Sequence, residues 1–207
     1  MLNSMPDGRS ASAPDPFLLS SRRLARSGIA ALLLSFAPFA GALAAEAPVA
    51  TEHNPPGDIP DTQVFVAYDS PLGFTIKVPE GWARREAASS VHFSDKYDAI
   101  DISVVATDTP LTLASAKAKQ TAEITSAERA AKIGKIKEVK VASGPAILIS
   151  YTSNSAPNPT TNKQIRLEHD RYLFYKDGKL ASLDLSAPKG ADNVDDWSMM
   201  ANAFKWR

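Results

Sequence analysis

From Val64 onward the chain alternates between short β-branched or aromatic runs and turn residues, and this pattern predicts most of its elements. Residues 64–68 (VFVAY) and 74–78 (FTIKV) are strands joined by Asp69, Ser70, Pro71, Leu72 and Gly73, which is turn chemistry. Residues 90–94 and 99–106 form a second hairpin about Asp95–Asp98. A four-residue loop there pairs Phe93 with Ile100 and Val91 with Ile102 on a buried face, and sets His92 opposite Asp101 on the other face. Thr112 then caps a helix expected over about 113–131, with an apolar stripe of Leu113, Ala116, Ile124, Ala127 and Ala131 and a stop at Gly134. Strands at 136–141 and 146–152 flank Ser143, Gly144 and Pro145. A polar loop follows from Ser153 to Asn162, and strands at 163–175 and 179–186 meet at Asp177–Gly178, a strong hairpin signal. Asp192 or Asn193 caps a last helix whose Val194, Trp197, Met200 and Phe204 form its inward stripe, with Asp195 and Asp196 in the first turn. Strands, helix, strands, helix, all joined by hairpins, make an α+β domain built on an antiparallel sheet.

The first 45 residues carry a different pattern. Arg22, Arg23 and Arg26 precede an apolar run from Gly28 to Leu43, and the small residues Ala42–Ala45 offer a cleavage point between Ala44 and Ala45. Basic, apolar and small segments in that order make a signal peptide, so the chain is expected to be exported, periplasmic or secreted. At about 16 residues the run is shorter than the ~20 that span a bilayer. The general secretory route fits better than the twin-arginine route, because Ala25 and Arg26 stand where the latter usually has a bulky apolar pair. Residues 46–62, with Pro48, Pro55, Pro56 and Pro60, read as a mobile Pro-rich linker. A single domain is expected over 63–207.

Charge and cysteine usage narrow the partners. Residues 1–45 hold four arginines and two aspartates, so residues 46–207 carry 19 basic against 21 acidic side chains, without the basic excess that nucleic acid selects. The absence of Cys excludes thiol catalysis, thiolate metal sites and a lipid anchor. Between Lys117 and Lys140 seven basic residues face three acidic ones, a local excess that suits an acidic protein or a membrane surface or simply forms a solvated face.

Gly73, Phe74, Ile76, Val78, Pro79, Gly81 and Trp82 spell G-F-x-I-x-V-P-x-G-W. With the hairpin Tyr172–Leu185 and the ending Trp197–Trp206, this segment resembles the PsbP-like group, which shares its fold with the Mog family of Ran-binding proteins. The resemblance spans residues 64–207. It implies a central antiparallel sheet flanked by helices, an α/β/α sandwich, and a binding or assembly role in place of catalysis, with a protein or envelope partner.

The sequence offers no G-x-S-x-G elbow, P-loop or G-x-G-x-x-G run, and no cofactor is expected. Contact with a ligand or partner is expected of Trp82, of His92 with Asp101, and of the Ser153–Asn162 loop around Asn158, the first three as an alternative small-molecule or ion-binding end of the sheet. Packing accounts for Trp82 and a cross-strand ion pair for His92–Asp101.

Overall fold

The computed structural model describes residues 46–207; the expected signal peptide, with Ala44 and Ala45, lies outside them. Ten strands and a few short helices make two antiparallel sheets. The small one has the order β1 (Phe65–Ser70), β2 (Phe74–Pro79), β10 (Lys205–Trp206). The large one contains β3 (Ala83–Glu86), β4 (Ser90–Asp95), β5 (Asp98–Ala106), β6 (Arg129–Val141), β7 (Gly144–Asn154), β8 (Arg166–Lys176) and β9 (Lys179–Pro188), in the order β3-β4-β5-β9-β8-β7-β6. The α+β class and the antiparallel sheet are as the sequence predicts.

The β4–β5 register is the one read from alternation: Phe93 opposes Ile100, Val91 opposes Ile102, and His92 opposes Asp101. Val91, Phe93, Ile100, Ile102, Tyr172, Phe174, Leu183 and Leu185 therefore share one face of the large sheet. The small sheet and α3 (Val194–Ala203) pack over that face to close the main core. At its centre Phe204, wholly buried, stacks on Phe174 with ring centroids 4.2 Å apart and on Phe74 at 5.3 Å. The opposite face gathers Ile147, Ile149, Tyr151 and Leu173 under Ala116 and Ile124 of the middle helical segment, forming a second, smaller core.

That middle segment is shorter than its apolar stripe suggests. It runs as α1 (Leu113–Ser115), a wide π turn at Ala116–Gln120 and α2 (Thr121–Ala127), and it opens on a reciprocal cap between Thr112 and Ser115. The chain then turns directly into β6, so Ala131 meets the second core from a strand. Gly134 stops no helix; it lies in β6, within the second of the strand's two register shifts, between Ile133 and Ile136. A Cβ there would stand 2.9 Å from the Ser150 carbonyl oxygen, so glycine permits the close approach of β6 to β7. Ser153 and Asn154 belong to β7, where their hydrogen bonds lengthen the ladder beyond the apolar run that marks it in sequence. In α3, Trp197 and Met200 point inward as expected, but Val194 is 70% exposed.

Residues 46–62 have no regular structure, yet they are not a free linker. Ile59 is buried in the main core, and the segment lies along the domain as a strap held by hydrogen bonds to Asn154 and Asn193. Its prolines fix the extended shape, and the anchoring comes from polar partners more than a hundred residues away, which no local pattern signals.

Candidate functional site

The two faces of the large sheet carry different chemistry. On the face shared with α1 and α2, three neighbouring strands supply a polar network. His169 of β8 places Nδ1 3.0 Å from Asp184 Oδ1 and Nε2 2.8 Å from Ser153 Oγ. The other Asp184 oxygen accepts from Arg171 Nε at 2.5 Å and from the Tyr151 hydroxyl at 2.6 Å. The Tyr151 ring stacks on the His169 imidazole with centroids 4.2 Å apart. Burial alone would raise the Asp184 pKa, but the hydrogen bond from His169 and the charges of His169 and Arg171 outweigh it and hold the carboxyl below its ordinary range. The same environment pushes the Tyr151 phenol upward, chiefly through burial and then through the Asp184 charge.

Ser153, His169 and Asp184 stand in the connectivity of a nucleophile, its base and the base's orienting acid. Ser153 is wholly buried, however, and Asp184 divides its charge among three donors. A carbonyl carbon has no approach to that oxygen. The relay is an internal fastening of β7, β8 and β9.

Beyond the helices this face is open, and His92 Nδ1 lies 2.8 Å from Asp101 Oδ1 there, beside the Asp184 strand position. The pair is half-exposed, and Asp101, without His92, lines a shallow hollow of about 170 Å³ with serines 90, 103 and 182, Arg171 and Asp184. Trp82 is not with it. It packs on the main core near Tyr68, Val78 and Phe93, across the sheet from His92. Asn158 is elsewhere again, and its side-chain oxygen accepts from the backbone N–H groups of Thr160 and Thr161, folding its own loop. The structure thus joins His92 to Asp101 and separates both from Trp82 and Asn158.

On the main-core face, where α3 begins, the sheet is left uncovered and a cleft of about 470 Å³ opens. This lies within the usual range for small-molecule sites. Its floor carries Ser150 and Thr152 of β7 with Glu168 and Asp170 of β8; Asn193 and Trp197 form the wall, and Lys132, Lys135 and Lys189 stand around it. Ser150 donates to Asp170 at 2.6 Å. Among the described residues no cation comes within ion-pair distance of Asp170, and burial raises its pKa. The β6 part of the cleft's lining, Lys132–Lys135, comes from the irregular stretch of that strand around Gly134, where regular pairing with β7 is interrupted. Asp170 is invisible as a site residue in the sequence, where it is one polar position in an alternating strand.

No protein family and no curated protein matches the chain. Among solved structures it is similar to PsbP. The cyanobacterial PsbP of Synechocystis is 14% identical, with 73% of this chain and 98% of that one covered and a TM-score of 0.46. A Bacteroides thetaiotaomicron protein is 13% identical over 68% of this chain and 48% of that chain, TM-score 0.44. A Pseudomonas aeruginosa protein of unknown function is 11% identical over 67% and 94%, TM-score 0.42. Among the described residues no helix is long and apolar enough to cross a membrane, and no group of three potential metal ligands occurs.

Proposed function

We propose that the protein is an exported, non-enzymatic binding module whose ligand site is the cleft between β6–β8 and the start of α3. The observation that carries this reading is Asp170, a carboxyl at the cleft floor that bonds Ser150 and makes no ion pair among the described residues, its nearest influence of opposite sign being the more distant charge of Lys137. A carboxylate without an ion-pair partner in a partly desolvated cleft favours a positively charged guest, because a charge-assisted hydrogen bond there is worth about 1.5–3 kcal/mol. Trp197 and Ala191 provide apolar area beside it, and the three lysines suit an anionic end. The ligand class is therefore a small primary amine that also carries a carboxylate or phosphate, such as an amino acid or a short peptide. Export is supported by the leader pattern at residues 22–45. The sealed position of Ser153 supports a binding role over hydrolysis.

Calorimetric titration with free amino acids, dipeptides and simple amines tests this. At least one zwitterion is expected to bind, and Asp170→Asn to weaken it ten- to a hundredfold. Absence of binding across the panel, or equal affinity in the variant, would overturn the reading.

A second reading, an assembly factor docking on a protein or envelope partner, draws on the edge strand β6 with Arg129, Lys132, Lys135, Lys137 and Lys140. Crosslinking in living cells followed by mass spectrometry distinguishes it: a specific partner captured through β6 supports docking, and none above background removes it.

A further inference from the structure

The strap of residues 46–62 is fastened at two stations. At the first, Asn154 Nδ2 donates to Glu46 at 2.9 Å and to the Ala47 carbonyl at 2.9 Å, while Asn154 Oδ1 accepts from Val49 N at 3.0 Å. At the second, Asn193 receives the Ile59 N–H at 2.7 Å and donates to the Gly57 carbonyl at 2.8 Å, and Asp58 accepts from Asp192 N at 2.9 Å. Asn193 sits at the N-cap position of α3 but makes no side-chain cap there. Its amide holds the strap instead.

Under the second station lies Asp98, at the start of β5 and 6% exposed. Its Oδ1 is the buried side-chain polar atom without a hydrogen-bond partner among the described residues. Gly57 covers that oxygen. A Cβ on Gly57, whose φ is +118°, would stand 2.9 Å from Asp98 Oδ1 and 2.7 Å from Pro188 Cδ, so strap, carboxyl and the end of β9 are in tight contact. The charged groups facing Asp98 are Asp95 at the end of β4, Lys96 in the β4–β5 turn and Asp58 from the strap itself, and β9 contributes only uncharged Pro188. Two of the three charges are negative. One is carried by the segment that must close over the site.

We infer that the strap is an acid-tightened latch: protonated Asp98 is compatible with the closed strap, and ionised Asp98 drives residues 54–59 off the domain and frees Asn193. Burial, then Asp95 and Asp58 against Lys96, lift the Asp98 pKa from 3.8 to about 7 with the strap closed. Lifting the strap returns the carboxyl to water and to its ordinary value. The closed state therefore holds a proton that the open state gives up between those two values, and closure weakens about tenfold for each pH unit in that interval. The weakening is complete above about pH 7 and absent below about pH 4. Asn193 also walls the cleft, so the latch sets the shape of the proposed ligand site.

Amide hydrogen exchange on the purified protein tests the latch without any ligand and so stands apart from the cleft reading. The reporters are the Ile59 and Asp192 amides, both bonded only while the strap is closed. After correction for intrinsic exchange, their protection should fall about a hundredfold from pH 5 to pH 7 and level off by pH 8. Asp98→Asn should abolish the pH dependence. Asp95→Asn, a surface change that leaves the carboxyl in place, should move the transition to lower pH. Protection that does not change with pH in the wild type overturns the latch. So does a pH dependence that survives Asp98→Asn, or one that Asp95→Asn leaves where it was.

Discussion

Asp184→Asn removes one charge from the middle of the large sheet while keeping the side chain's shape. The wild-type carboxylate accepts from His169, Arg171 and Tyr151 at 3.0, 2.5 and 2.6 Å. An amide in its place leaves the Arg171 guanidinium, on a side chain only 17% exposed, without a counterion and turns an N–H toward another donor. Breaking a buried pair in this way costs about 3–5 kcal/mol, against a total stability of roughly 5–15 kcal/mol for a domain. With an m value of ~2 kcal/mol/M the urea midpoint should fall by about 1.5–2.5 M at pH 7. The sign in acid comes from the lowered Asp184 pKa. Its stabilisation is fully present above the unfolded value near 3.8 and is lost as pH falls through the folded value, so the wild type has an acid limb that the variant lacks. A double-mutant cycle with Arg171→Ala should show a coupling of about 0.5–3 kcal/mol. A loss under about 1 kcal/mol at pH 7, or an unchanged acid limb, refutes the account of the network.

Phe204→Ala empties the ring stack between Phe74 and Phe174 and should cost about 3–5 kcal/mol by thermal or urea unfolding. His92→Ala breaks only a half-exposed pair and should change stability by about 1 kcal/mol or less, which the same unfolding curve reads. Gly134→Ala forces β6 from the Ser150 carbonyl, and amide exchange should show faster opening of the β6–β7 ladder near Lys132–Ile136 than in the wild type. On the proposed export and cleavage, intact mass of the mature protein should place its N-terminus at Ala45.

Alternation made the hairpins readable because each exposes one face and buries the other, as His92–Asp101 opposite the Phe93–Ile100 face shows. The signal fails where both faces are polar. Ser150, Thr152, Glu168 and Asp170 look like ordinary solvent positions, and only the folding of α3 and β6 around them makes a cleft. The helix over 113–131 ended early because Arg129, Lys132 and Ile133 pair with the polar end of β7, a long-range gain that local helix propensity does not register. Ser153, His169 and Asp184 are separated by 16 and 15 residues in sequence, so their meeting depends on strand register alone. Asn193 reads as a helix cap in sequence and acts as a clasp in the fold, because both uses require the same short polar side chain.

On the proposed export, with a cut after Ala44, the clasp at Asn154 would bear on the timing of maturation. A peptidase severing the bond after Ala44 needs slack chain on both sides of its cut, and in the finished domain Glu46, Ala47 and Val49 are tied to β7. Severing and tying compete for the same few residues. Slow-folding variants should leave the leader-proximal segment accessible for longer, whereas a domain that completes before the cut would shield it, making folding speed a determinant of how much mature protein accumulates.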